Sequence, residues 1–207
     1  TVSYFSEKLR TKIFSLEYSL SPENKFPDAM NEALDAINWL IKNGNKISNI
    51  SLCGDSAGAH LAASVTHHLA NEGLENVHSQ FLIYPMCDPN CNSESIELFQ
   101  EGYLLTKDAM EWFWDKFKNS DNDKNLDTFN LMLLDSNKKL PKTLIVTAGF
   151  DPLSDEGEKY AFLLHQNGTY VKQLHYPSLF HGFANMTRLK SAKKAVNDFL
   201  TAYKEIL

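Results

Sequence analysis

The sequence predicts an α/β layer fold, and three observations point to it. Apolar, β-rich runs alternate along the chain with segments of helical period. That alternation is broken once, from about residue 88 to 140, and then resumes. The stretch "SLCGDSAGAH", residues 51–60, sets a serine between two glycines at a junction between strand-like and helix-like sequence.

The elements follow in order. "VSYFSEKLR" reads as a short helix and "KIFSLEYSL" as a strand. "SPENKFPDA", with two prolines among polar residues, is a loop. "DAMNEALDAINWLIKNG" has apolar residues at 30, 33, 34, 37, 40 and 41, which is one helix face, and closes on Gly44. "ISNISLCG" is a second strand, "AGAHLAASVTHHLANEG" a second long helix and "SQFLIYPMC" a third strand. In the interrupting block, "EGYLLTKDAMEWFWDKFK" is helical with Thr106 as its cap, and "NSDNDKNLD" is a polar loop. The block is expected to be a helical cap insertion above the sheet, within a single domain spanning 1–207. Beyond it come a strand "KTLIVTAGF", a helix "DEGEKYAFLLHQNG", a strand "YVKQLHYP" and a closing helix "SAKKAVNDFLTAYKEIL".

Bulk properties narrow the function. The 207 residues are 43% hydrophobic and 22% charged, enough for one domain with a sizeable core. A formal charge of -6 and the lack of a basic block argue against nucleic acid as a partner. No apolar run approaches the roughly 20 residues of a membrane span, and "TVSYFSEKLR" lacks the apolar centre of a signal peptide. The three cysteines, Cys53, Cys87 and Cys91, fit a reducing compartment better than a disulfide framework, and the expected location is cytoplasmic. "CDPNC" has no matching Cys/His pair at zinc-ligand spacing, so no metal is expected.

Gly54-Asp55-Ser56-Ala57-Gly58 matches G-x-S-x-G in the strand-to-helix context that a nucleophile elbow needs. The turn strains the serine backbone, and glycine at both flanks is expected to avoid a side-chain clash. The helix start offers backbone N–H groups, that of Ala57 first, to developing negative charge. A serine nucleophile needs a base, and the base an orienting carboxylate, here in the chain order Ser, acid, His. Among seven histidines, His60, His67 and His68 lie on the helix after the serine, His78 and His165 near helix ends, and His175 inside the final strand. His181, in "PSLFHGF", lies in a loop past that strand and is the expected base. Asp151, directly after the strand "KTLIVTAGF", is the expected acid. Asp155 is assigned to capping the next helix or to support, with Glu156 and Glu158 near that helix's positive end.

The stretches "EYSLSPENKFPDA", "GDSAG", "FLIYP", "EGYLLT", "VTAGFDPLSDEG" and "HGF" occur in this order from about residue 13 onward. Together they resemble the hormone-sensitive-lipase-like carboxylesterases of the α/β-hydrolase fold. The resemblance implies a mostly parallel sheet with helices on both faces. It also implies ester hydrolysis through an acyl-enzyme on Ser56, with His181 as base then acid and Asp151 orienting it. No cofactor is implied; the expected partner is a small, short-chain acyl ester, and a homodimer is left open. Ala59 stands where the family usually has a glycine, and Glu17 and Ser19 replace an acid-arginine pair. The family's HGGG-type loop and first strands have no counterpart, so the resemblance covers about the C-terminal two-thirds of such a domain. One missing strand normally lies between those at "KIFSLEYSL" and "ISNISLCG". Loss of one oxyanion donor costs on the order of 10²–10³ in turnover, so a chain starting at Thr1 is expected to be a weak esterase.

Tyr103, Trp112, Phe113, Trp114 and Phe117 read either as packing or as a lid over an acyl pocket. The candidate pocket residues are Tyr103, Trp112, Phe150 and Phe180. Two rival functions stay open: a non-catalytic or truncated hydrolase-fold binding protein, and amide or formamide hydrolysis on the same triad. A dinucleotide site is rejected, because "LCGDSAGAH" lacks the G-x-G-x-x-G spacing.

Overall fold

The computed structural model describes residues 1–135 and 137–207. Four strands, β1 (Ser51–Asp55), β2 (Ser79–Ile83), β3 (Lys142–Phe150) and β4 (Val171–Phe180), form one sheet in the order β1-β2-β3-β4. Every neighbouring pair is parallel, so all four carboxyl ends lie along one edge. Loops that follow strands therefore converge there, which is what an α/β site requires.

Both faces of the sheet are covered, as alternation along a buried strand demands. Phe81, Ile83, Leu144, Val146 and Ala148 point to one face and pack with Phe5 of α1 (Val2–Leu9) and Val196, Phe199 and Leu200 of α7 (Lys190–Lys204). Leu82 and Ile145 point to the other, against Ala59 and Ala63 of α3 (Ala57–Asn71) and Tyr160 and Leu164 of α6 (Ser154–Gln166). Ala59 is fully buried there, so its extra methyl group fills core space rather than narrowing a pocket. Helix α2 (Asp28–Lys42) packs outside α3, with Met30 and Ile37 against Val65 and Leu69.

Between β2 and β3 lie α4 (Glu94–Leu98), α5 (Lys107–Phe117) and two short 3-10 turns, Asp121–Asn125 and Leu131–Leu133. Thr106 caps α5 as expected, its hydroxyl accepting the Ala109 N–H at 3.1 Å. Helix α5 begins after that cap, so "EGYLL" lies outside it. Among the described residues no helix is long and apolar enough to cross a membrane.

One expected strand is absent. Residues 12–20 form no strand, and Phe14, Leu16 and Leu20 stand exposed. A run of β-formers becomes a strand only by pairing, and among the described residues β1 pairs with β2 alone. The segment is instead tied to α2: the Ser19 N–H and hydroxyl donate to the Glu32 carboxylate at 2.7 and 2.6 Å. These bonds hold the Glu32 carboxyl below its usual range.

Candidate active site

Ser56 stands between the end of β1 and the start of α3, with φ 54° and ψ −120°. A non-glycine residue tolerates this conformation only where its surroundings over-determine it. Here the Ser56 N–H donates to the Ile83 carbonyl at 2.9 Å, and the Ser56 carbonyl accepts the N–H groups of Ala59 and His60. The two glycines are not equivalent. A Cβ on Gly54 would fall 2.1 Å from the Gly58 carbonyl oxygen, whereas one on Gly58 meets nothing within 4 Å. The expected need for glycine therefore holds at Gly54 on steric grounds and not at Gly58. The Ala57 N–H, in the first turn of α3, has no acceptor among the described residues, as befits a helix start.

Asp151 follows β3 directly and is fully buried. One of its carboxylate oxygens, Oδ1, accepts the Leu153 N–H at 2.9 Å, which leaves Oδ2 to His181 Nδ1 at 2.8 Å. His181 follows β4, and its Nε2 lies 2.9 Å from Ser56 Oγ. With a carboxylate at Nδ1, that nitrogen carries the proton and Nε2 is free to accept from the serine hydroxyl. Residues 125 positions apart are thus joined by the convergence of parallel strand ends.

The other histidines lie elsewhere. His60 is in the core, with Nδ1 3.1 Å from the Met86 carbonyl, and burial lowers its pKa to about 4. His67 meets the Tyr160 hydroxyl at 2.8 Å and Asp127 at 3.4 Å. His78 Nε2 is 3.2 Å from the Ile206 carbonyl, and His175 bonds Thr147 and Glu158.

Asp155 does not cap its own helix. It accepts the Ser95 N–H at 2.7 Å and so serves α4. Its neighbour Glu156, which sequence alone marked only as a first-turn charge, is buried and accepts the Cys87 N–H at 2.6 Å. Burial, more than the Cys87 and Asp88 N–H donors can offset, raises its pKa well above the usual range. Cys87 and Cys91 are buried free thiols, that of Cys91 pushed up to about 12 mainly by burial.

The four candidate pocket residues divide. Tyr103 and Phe150 stack face to face at 5.3 Å, with Phe99 edge-on to both, and Phe150 is in register with Phe180. Leu104 borders the same loop: its Cδ2 lies 3.8 Å from where a Gly182 Cβ would stand. Trp112 is apart from this group, half exposed on α5 against Phe113. Trp114 and Phe117 are packing residues, clustered with His60 and Phe129.

A parallel α/β sheet with a serine, a histidine and an aspartate hydrogen-bonded in series at its carboxyl edge defines a hydrolase-type fold. The chain belongs to the alpha/beta hydrolase fold family, whose model matches residues 1–185, and within it to the hormone-sensitive-lipase-like group whose motifs it carries. It is 35% identical over 202 residues to carboxylic ester hydrolase LipN of Mycobacterium tuberculosis, covering 92% of this chain and 54% of that protein. It is 31% identical to ethyl acetate hydrolase of Pseudomonas putida, covering 84% of this chain and 56% of that one. The hyperthermophilic esterase of Pyrobaculum calidifontis superposes with a TM-score of 0.91 at 31% identity, over 99% of this chain and 70% of that one. The chain spans about half the length of these curated relatives.

Proposed function

We propose that this chain carries the catalytic groups of a serine carboxylesterase acting on small, short-chain acyl esters. The reading rests on the unbroken hydrogen-bonded line from Asp151 through His181 to Ser56, at 2.8 and 2.9 Å. His181 Nε2 takes the Ser56 proton as Oγ attacks the ester carbonyl, and Asp151 stabilises the imidazolium that results. The tetrahedral oxyanion accepts the Ala57 N–H, and the α3 N-terminus favours its charge. Collapse expels the alcohol, which takes its proton from His181, and leaves an acyl group on Ser56. Water, deprotonated by His181, then releases the acid.

The names carboxylic ester hydrolase, for LipN, and ethyl acetate hydrolase support the choice of ester over amide. The mutually packed Tyr103, Phe150 and Phe99 rings, with Phe150 the residue before Asp151 in the chain, support a compact acyl pocket. Three free cysteines support a reducing compartment such as the cytoplasm. The test is a rate series on p-nitrophenyl acetate, butyrate and decanoate, with a matched formanilide. Turnover falling from butyrate to decanoate and absent on the formanilide is expected. Faster amide than ester cleavage would move the reading to an amidase.

A further inference from the structure

Ser56 and His181 lie on separate loops, and a second set of contacts ties those loops together without touching either reacting atom. Asp55, the residue before Ser56, accepts the Asn185 side-chain N–H on Oδ2 at 2.9 Å. Asn185 belongs to the single 3-10 turn, Phe183–Asn185, that follows His181. The same Asp55 oxygen lies 3.4 Å from the Tyr84 hydroxyl, which donates to it. Tyr84 follows β2 directly and is almost fully buried. Its ring lies against the His181 imidazole, with centroids 4.7 Å apart and planes inclined at 55°. The Phe183 ring meets the Tyr84 ring edge-on, with centroids 5.5 Å apart.

The Tyr84 backbone is held at φ 37°, a left-handed conformation that a bulky residue rarely takes. Its N–H donates to the Val146 carbonyl at 2.6 Å, which anchors the turn to β3. Strain of this kind persists where the surroundings impose it, and often beside a functional group. Here its consequence is visible: the chain turns at the end of β2 so that an aromatic face lies along the histidine.

We propose that Asp55, Asn185 and Tyr84 form a positioning clamp that sets the Ser56–His181 geometry for acyl transfer, a role that rests on the hydrolase reading above. The Asp55–Asn185 bond fixes the spacing between the loop carrying the serine and the loop carrying the histidine. The Tyr84 ring fixes the tilt of the imidazole. Asp55 is solvent-exposed, so water screens its charge and its effect on His181 is positional rather than electrostatic. Positioning is worth much here, because a misplacement of about 1 Å costs roughly 10²-fold in rate.

The test reverses the polarity of the clamp. Asn185→Asp sets two carboxylates against each other, and the double variant Asp55→Asn with Asn185→Asp restores one donor and one acceptor. Asp55→Asn alone keeps an acceptor for both donors, and Tyr84→Phe keeps the ring but loses the hydroxyl. On p-nitrophenyl butyrate, Asn185→Asp is expected to lower kcat about tenfold or more, with KM within about twofold. The double variant recovers kcat to within about threefold of the parent, while Asp55→Asn and Tyr84→Phe lose about threefold or less. Circular dichroism confirms that each variant is folded, and the His181 ring nitrogens are followed by ¹⁵N NMR in all five proteins. Parental kcat in Asn185→Asp, or no recovery in the double variant, overturns the clamp. If the parent itself neither hydrolyses the ester nor reacts with a fluorophosphonate, the hydrolase reading fails instead. The clamp is then decided by the His181 resonances: shifted in Asn185→Asp and restored in the double variant supports it, and unchanged in both overturns it.

Discussion

Asp151 and His181 meet at 2.8 Å with the carboxylate fully buried and its second oxygen already bonded to the Leu153 N–H. The two oxygens of Asp151 therefore serve different partners, Leu153 and His181. The imidazole thus turns Nδ1 to Asp151 and Nε2 to Ser56.

This gives the first prediction. Asp151→Asn keeps the shape but offers an amide N–H to Nδ1, which favours the wrong tautomer. The expected loss in kcat is on the order of 10⁴-fold, with KM little changed. Steady-state kinetics on p-nitrophenyl butyrate check it, and a loss below tenfold would remove Asp151 from the relay.

The turn at Ser56 gives the second. Gly54→Ala drives a Cβ to 2.1 Å from the Gly58 carbonyl oxygen, a backbone atom with no freedom to move aside. A destabilisation of about 3 kcal/mol or more is expected, at the upper end of overpacking costs. Gly58→Ala has open space and ordinary backbone angles, so it is expected to change stability by about 1 kcal/mol or less, in the stabilising direction. Urea denaturation of the two variants side by side separates them.

His60 gives the third. Burial depresses its folded pKa to about 4, with the His67 charge adding to the effect and the bond to the Met86 carbonyl opposing it. In the unfolded chain the imidazole titrates near its ordinary value of 6.5, so between these pH values the unfolded state binds the extra proton. Stability contributed by a neutral His60 is therefore full above pH 6.5 and is lost as pH falls toward 4, by about 3 kcal/mol. Urea midpoints measured from pH 7.5 down to pH 4 in the parent and in His60→Gln check the sign. The variant is expected to lose less stability over that window.

Strand β3 spans the residues of "KTLIVTAGF", α2, α3 and α6 fall within two residues of where apolar period and closing glycines put them, and α7 ends three residues before Leu207. These elements are legible because their signals are local. The convergence of Ser56, Asp151 and His181 is legible for a related reason: each sits at the carboxyl end of a readable strand, so the parallel sheet brings them together without further information. Residues 12–20 misled because pairing is not a local property. The alternation of Phe14, Leu16, Tyr18 and Leu20 describes a chain ready to pair, and among the described residues the sheet ends at β1. The contacts of Glu156, Tyr84 and Asn185 are not legible: Tyr84 and Glu156 stand in the stretches "FLIYP" and "VTAGFDPLSDEG", but neither stretch says what the side chain touches. Glu156 looked like an exposed first-turn charge, and only the fold brings Cys87 to it. Tyr84 looked like the end of an apolar run, and only its left-handed turn lays it on His181.

The central claim is that Ser56 is an activated nucleophile, and covalent labelling tests it most directly. The folded chain is treated with a fluorophosphonate and its intact mass measured, beside Ser56→Ala and His181→Ala. The account predicts a single adduct on the parent and none on either variant. A folded parent chain that takes up no adduct would contradict it, and would leave a hydrolase-fold scaffold whose serine, histidine and aspartate are aligned without being reactive.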